Sequence, residues 1–459
     1  MDSRIFKNKK LLIFCPHEDD EINLVGGLLL ELKKIKCDIR VVFSTNGDYY
    51  IKGKYRIREA INSLRILGIG RENITFLGYP DQDQCNDNHL YMSNDIFISN
   101  NGIRYTNMPE GREYHYIKHH KHCLINKKNF INDIEELILE DKADYIICVD
   151  YDSHCDHRAL HLSFENALGR ILNKTSYRPI VLKAFAYPTT YKGVEDFKTG
   201  NLGISKFKKE ENALYELQNP YYKWDRRISI DTSSSTNEKL LLFNTLFKAI
   251  MQHKSQQFID ETYSIINSDQ VFFMRRTDNL LYDSSIKVSS GNKKYLNDFM
   301  LFDSSNIMKG YSKYPIIDKG YTRIKDRNRT ISISFNNSVD IEEINIYEYV
   351  NCKTLLDKIN IMVDGKSYEY DVNKDNYCYS LNHLGFKKVN NITIKFDQDI
   401  DISELEVFSS NSVYQNNNVN DKIKQINLKD KIIFMLDDML IYSCHKVNKY
   451  FNQFKKCGN

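Results

Sequence analysis

The sequence predicts an α/β fold: a doubly wound, mostly parallel sheet of the Rossmann-like kind, followed by a β-sandwich domain and a C-terminal helix. Three observations carry this expectation. Up to about residue 260, short apolar runs alternate with longer stretches of helical periodicity. From about 278 to 410 the pattern changes to short strands of period two. From about 427 to 456, apolar residues recur at near-helical spacing. At 459 residues the chain has room for two or three domains. The expected division is 1–260, 278–410 and 427–456.

In the first part, strands are expected at 10–15, 38–45, 73–78, 143–149 and 179–187. Helices are expected near 21–35, 55–68, 127–141, 157–172 and 235–253. Lys10-Leu11-Leu12-Ile13-Phe14-Cys15 is an almost continuous apolar run, as a central parallel strand covered on both faces requires. Ala143-Asp144-Tyr145-Ile146-Ile147-Cys148-Val149 is a second such run. The segment from Pro80 to about residue 126 is too long for an ordinary connection and is expected to wall a binding cleft.

The second part reads as a sandwich. Arg329–Phe335 alternates apolar and polar residues, and Ile344–Tyr347, Lys358–Val363, Asn391–Phe396 and Glu404–Phe408 continue the series. Asn336-Asn337 and Asp364-Gly365 supply turns. In the third part, Ile432, Met435, Leu436, Met439, Tyr442, Val447 and Phe451 fall at helical spacing, Lys446, Lys449, Lys455 and Lys456 make the far end basic, and Asp437 and Asp438 interrupt any membrane span. The plain reading is a helix packed on the protein body or on a second subunit. A membrane-surface helix is the sharper alternative.

The chemistry concentrates after the two buried runs. Pro16-His17-Glu18-Asp19-Asp20-Glu21 crowds one imidazole and four carboxylates against the end of the first strand. Ligands of open α/β sheets gather at that edge. So many acids repel one another and lose hydration there, unless a cation sits among them. The second run delivers Asp150, Asp152, His154, Asp156 and His157. If the two strands are parallel members of one sheet, His17, Asp20 and His157 form an open N/N/O ligand set. Such a set suits a catalytic zinc, with iron, cobalt or manganese as alternatives. By itself, an Asp-Asp-Glu at a helix start is ordinary N-terminal capping. The coincidence of two clusters favours metal.

Pro-His-x-Asp-Asp-Glu after the first strand and His-x-Asp-His after a later one resemble the PIG-L/LmbE-like zinc-dependent N-acetylglucosaminyl deacetylases. Ser44–Asp48, Arg56 and Glu59, Phe76–Asp81 and His253–Gln256 fit the same resemblance, which covers about residues 8–260. It implies His17, Asp20 and His157 as metal ligands and Asp19 as general base. It implies His154 as the group that stabilises the oxyanion or protonates the leaving amine. Asp156 is expected to orient one of these histidines. Arg56, Asn46 and Asp48 are expected at the substrate. Glu18 replaces the Pro of many relatives, with altered local stiffness as the expected consequence. His253 is as readily a packing residue. The implied reaction is hydrolysis of the N-acetyl group of an N-acetylglucosamine-type conjugate. The alternatives are an amidase on a bulkier amino-sugar amide, or a carbohydrate-binding protein on an inactive fold. The sandwich loosely resembles discoidin-like, galactose-binding-like domains, which would make it a carbohydrate-binding module or a brace.

The resemblance implies a small-molecule or glycan substrate, and composition bears on the other partners. A net charge of +3 gives nucleic-acid binding no electrostatic support. Ten cysteines without CxxC spacing, with Cys15 and Cys148 in buried runs, suggest reduced thiols of a cytoplasmic protein. Neither a signal peptide nor a spanning run is apparent. Oligomers remain open. His115, His119, His120 and His122 lie beside Lys118 and Lys121 and read as a solvated loop rather than a second metal site.

Overall fold

The computed structural model describes residues 2–82, 89–92, 94–152, 154–186, 191–192, 205–207, 219–236, 238, 240–256, 265–303, 320–350, 352, 354–374, 377–412 and 428–455. Strands β1 (Lys10–Cys15), β2 (Asp38–Thr45), β3 (Ile74–Tyr79), β4 (Tyr145–Val149) and β5 (Ile180–Ala184) run parallel. A small ribbon pairs β6 (Tyr191–Lys192) with β7 (Lys206–Phe207). Two antiparallel strands, β8 (Ile228–Asp231) and β9 (Asp269–Arg275), complete a sheet of order β3-β2-β1-β4-β5-β9-β8. The apolar runs are buried in β1 and β4 as their composition demands, with Leu11 to Cys15 and Ile146 to Val149 fully enclosed.

Besides a single turn at Ser233–Thr236, the helices of this part are α1 (Asp20–Leu32), α2 (Gly53–Leu67), α3 (Tyr114–His119), α4 (Lys127–Asp141), α5 (Cys155–Lys174) and α6 (Thr245–Ile250). Helices α1, α2 and α6 pack together, and α4 packs on α5. The helix expected over 235–253 is broken. Asn244 accepts the Phe247 N–H at 3.0 Å as the cap of α6, while its amide donates to the Thr236 and Glu238 carbonyls. One side chain thus ends a turn and starts a helix. The sheet also continues past residue 260, because β9 lies between β5 and β8.

The second sheet has the order β11-β16-β12-β15-β13-β14, with β10 on β12. Its strands are β10 (Ser284–Val288), β11 (Thr322–Ile324), β12 (Thr330–Glu348), β13 (Lys358–Val363), β14 (Lys366–Asp371), β15 (Cys378–Phe396) and β16 (Ile400–Phe408). The runs expected as separate strands at 329–335 and 344–347 are one strand. Asn336-Asn337 makes no turn between them. Register shifts between Ser334 and Glu343 bend β12 along β15 instead. One end of β12 then pairs with β10 and the other with β16, and Ile331, Ile344, Ile361, Ile394 and Leu405 share one core.

The two sheets meet through buried polar contacts. The Tyr221 hydroxyl donates to the Glu348 carbonyl at 2.8 Å, and Asn279 bonds the backbone of Leu405 and Val407, each at 2.9 Å. Arg275 lies 3.2 Å from Glu165 and 3.7 Å from Glu406. The last element, α7 (Leu428–Lys455), lays Leu440 and Ile441 on the first core and accepts the Leu241 N–H on Asp437 at 3.1 Å. Among the described residues, no helix is long and apolar enough to cross a membrane. The described cysteines are all free thiols.

Candidate functional site

Strand β1 has β2 on one side and β4 on the other, so the connections leaving the carboxyl ends of β1 and β4 diverge and open a crevice. The two acidic and histidine-rich clusters meet there. His17 Nδ1 lies 3.1 Å from Asp20 Oδ2 and 3.1 Å from His157 Nε2, and His157 Nε2 is 3.3 Å from Asp20 Oδ2. Ligands at zinc distances of about 2.0–2.1 Å in tetrahedral geometry stand about 3.3–3.5 Å apart. These three atoms therefore outline one face of a tetrahedron already near its bound size.

The outer atoms of each ring are fixed. His157 Nδ1 faces Asp152 Oδ2 at 2.7 Å, and His17 Nε2 faces Asp156 Oδ2 at 3.0 Å and Asp81 Oδ1 at 3.6 Å. Burial alone would depress His17, but the charge of Asp81 and the bonds to Asp156 and Asp20 raise its pKa well above the ordinary value. Burial likewise works against protonated His157, yet Asp152 and Asp20 outweigh it and push the pKa up to about 9. Burial opposes ionised Asp20 as well, but His157 and His17 hold its carboxyl well below the usual range. Four carboxylates thus favour positive charge at this point, as a site for a divalent cation requires.

His154 caps α5, and its Nδ1 accepts the Asp156 N–H at 3.2 Å. Burial and the neighbouring His17 and His157 press its pKa down to about 2, so the ring is neutral. With Nδ1 accepting, its one proton sits on Nε2. The ring centroid is 4.7 Å from that of His17 and 4.8 Å from that of His157. Asp19 immediately precedes α1 and accepts a bond from Arg56 Nη2 at 3.1 Å. Burial raises its pKa, against the pull of Arg56.

Arg56, expected to reach substrate, is only 8% exposed and is committed elsewhere. Its guanidinium bonds Asp81 and Asp19 and lies 3.9 Å from Glu18 Oε2. Asn46 and Asp48 serve the loop between β2 and α2. Asn46 donates to Asn107 at 2.5 Å and accepts the Asp48 N–H at 3.1 Å, while Asp48 accepts the Gly53 N–H at 3.2 Å. Burial lifts Glu18 to a pKa of about 7, partly offset by Arg56. A Cβ on Gly47, at φ +65, would lie 2.5 Å from the Glu18 carboxylate, so these two residues fit only as a pair.

Residues 12–168 match the family model described as PIG-L: GlcNAc-PI de-N-acetylase. These residues form a PIG-L family domain. No curated protein matches the chain. Among solved structures, N,N'-diacetylchitobiose deacetylase from Pyrococcus horikoshii with its inhibitor MPG is 17% identical. That match covers 59% of this chain and 84% of the other, with a TM-score of 0.32. The zinc-inhibited form of teicoplanin deacetylase Orf2 is 14% identical over 59% of this chain and 99% of the other, with a TM-score of 0.31. The family 32 carbohydrate-binding module of NanJ from C. perfringens, in complex with galactose, is 12% identical over 28% and 95%, with a TM-score of 0.20.

Four residues of the PIG-L domain join the site without having been given a role there from sequence. Asp81 bridges His17 and Arg56, and Asp152 supports His157. Gln82 N–H and His89 Nε2 bond Asp156 at 2.7 and 3.0 Å. Asp152 had a signal in its place within the Asp-x-Asp-x-His-x-Asp-His run; His89 had none. His253 is buried against Glu21 Oε1 at 2.8 Å, and Ser255 donates to Glu59 at 2.6 Å, so this motif ties α6 to α1 and α2. The histidine-rich patch is solvated, with His119, His120 and His122 exposed, but it is not all loop. It includes α3, and His115, His119 and His122 pair with Asp133, Glu136 and Glu113 because acidic side chains face it.

Proposed function

We propose that the PIG-L domain hydrolyses the N-acetyl group of an N-acetylglucosamine-type conjugate, releasing acetate and a free amino sugar, with zinc as the preferred metal. The observation that carries this is the triangle of His17 Nδ1, Asp20 Oδ2 and His157 Nε2, with edges of 3.1–3.3 Å, beside Asp19 and His154. Those three residues would hold the metal, which supplies Lewis-acid polarisation and a water of lowered pKa, roughly 7. Asp19, anchored by Arg56, takes the proton from the water that attacks the amide carbon. His154 Nε2–H donates to the amide oxygen as negative charge develops on it. The C–N bond then breaks, with a proton returned from the Asp19–His154 side to the departing nitrogen. Asp152 and Asp156 keep the ring orientations of His157 and His17 through the cycle.

The test is amine release from a panel of N-acetylglucosamine conjugates by zinc-reconstituted protein, with Asp19→Ala run in parallel. Release by wild type, slowed by about 10²–10⁴ in the variant, is the expected result. Silence of the metal-loaded wild type across the panel overturns the reading.

A further inference from the structure

Away from the crevice, a separate set of metal-binding side chains comes together where α3 faces α4. His115 and His119 are one turn apart on α3, and Asp133 and Glu136 are one turn apart on α4. His115 Nδ1 lies 2.8 Å from Asp133 Oδ1, and His119 Nε2 lies 2.8 Å from Glu136 Oε2. The two imidazole centroids are 4.4 Å apart. Buried Cys123 joins them: one ligand atom each from His115, Cys123 and Asp133 fall within 4.8 Å of one another. The Cys123 backbone is pinned, because its N–H donates to Thr106 Oγ1 at 2.9 Å and its carbonyl accepts the Thr106 N–H at 2.8 Å. The other oxygen of Asp133 accepts the Tyr79 hydroxyl at 2.7 Å, which keeps Oδ1 facing His115.

A hydrogen-bonded pair explains His115 and Asp133 by themselves; a thiol converging on the same point calls for something more. Imidazole, thiolate and carboxylate are the three ligand types that zinc takes. Around tetrahedral zinc such atoms stand about 3.3–3.6 Å apart, so binding would draw this set in by roughly 1 Å. Lys118 does not fill the place of a metal, because its Nζ is turned to Glu140 at 3.0 Å. A groove lined by His115, His119, Asn129, Asn132, Asp133 and Glu136 opens the cluster to solvent and gives an ion its way in. None of these residues is shared with the crevice. His17, Asp20 and His157 follow β1 and β4, whereas His115 and Cys123 lie on the long connection after β3, and Asp133 lies on α4.

We propose that His115, Cys123 and Asp133 bind a divalent metal of the zinc type, which clamps the long connection after β3 onto α4. Cys123 gives its thiol proton to solvent as the sulfur–metal bond forms, and the remaining position faces the groove. The full-length protein, freed of metal with a chelator, is dialysed against zinc beside Cys123→Ser and His115→Gln, and bound metal is counted per chain. Wild type is expected to hold one equivalent more than either variant, whatever the crevice binds. Cobalt in place of zinc should give wild type a sulfur-to-cobalt charge-transfer band in the near ultraviolet. That band should vanish in Cys123→Ser and persist in His17→Gln, which alters the crevice alone. Circular dichroism checks each fold, and the partly exposed His115→Gln decides the count if Cys123→Ser does not fold. Equal zinc counts in wild type and the folded variants overturn the proposal. So does a cobalt-loaded wild type without the band, or a band that survives Cys123→Ser and therefore belongs to another cysteine.

Discussion

Removing the carboxylate of Asp152 should weaken metal binding in a graded way. Asp152 is fully buried, and its two oxygens accept from His157 Nδ1 at 2.7 Å and from the His154 N–H at 3.0 Å. The first contact keeps the His157 Nε2 lone pair facing His17 and Asp20. Asp152→Asn retains an acceptor of the same shape but loses the charge that strengthens the imidazole as a donor. Loss of such a partner weakens metal affinity about 10–100-fold, and the conservative change belongs near tenfold, or about 1.4 kcal/mol. Asp152→Ala also strands a buried ring N–H, which costs roughly 1–3 kcal/mol, and belongs near a hundredfold. Competition against a chromophoric zinc chelator measures both, with circular dichroism confirming the fold. If both variants bind zinc within twofold of wild type, His157 is not a ligand through Nε2 and the assigned site is wrong.

Three further outcomes follow from other parts of the structure. Asp19→Ala should lower the rate of amine release by about 10²–10⁴, the contribution of a general base, while zinc affinity stays within a few-fold. Arg56→Met leaves three carboxylates facing one another without a cation. It should destabilise the fold by about 3–5 kcal/mol, read as a large fall in denaturant midpoint. A purely substrate-binding Arg56 would raise KM and leave the midpoint alone. Burial, opposed by the Met300 N–H, lifts Asp298 to a pKa of about 7, next to buried Glu404. Folding therefore favours its protonated form, and that stability is lost as pH rises from the unfolded value through about 7. The gain in melting temperature from Asp298→Asn should accordingly grow between pH 5 and pH 8, and a constant difference would refute the assignment.

Much of the architecture follows from local pattern. Continuous apolar runs mark β1 and β4 because strands covered on both faces cannot alternate. The residues immediately after them then had to reach one edge of the sheet. Period-two stretches mark most of the second sheet for the complementary reason, that alternation fits strands with one face on the core. Where the chain bends without turning, the same pattern misleads. Asn336-Asn337 has the composition of a turn, yet β12 passes through it because pairing with β15 continues on both sides.

The site divides along the same line. The sequence by itself determined which candidate metal and acid–base groups reach the crevice, since His17, Asp19, Asp20, His154 and His157 follow strand ends, and neighbours along the chain travel together. Only the tertiary structure decided what surrounds them. Arg56 faces Asp19, Asp81 and Glu18 rather than solvent, and His89 closes on Asp156 from another loop. Those partners are separated by tens of residues and carry no shared spacing. Their pairing is imposed by burial: each charge, once enclosed, must find an opposite charge or a hydrogen bond within about 3 Å, and packing decides which one is there.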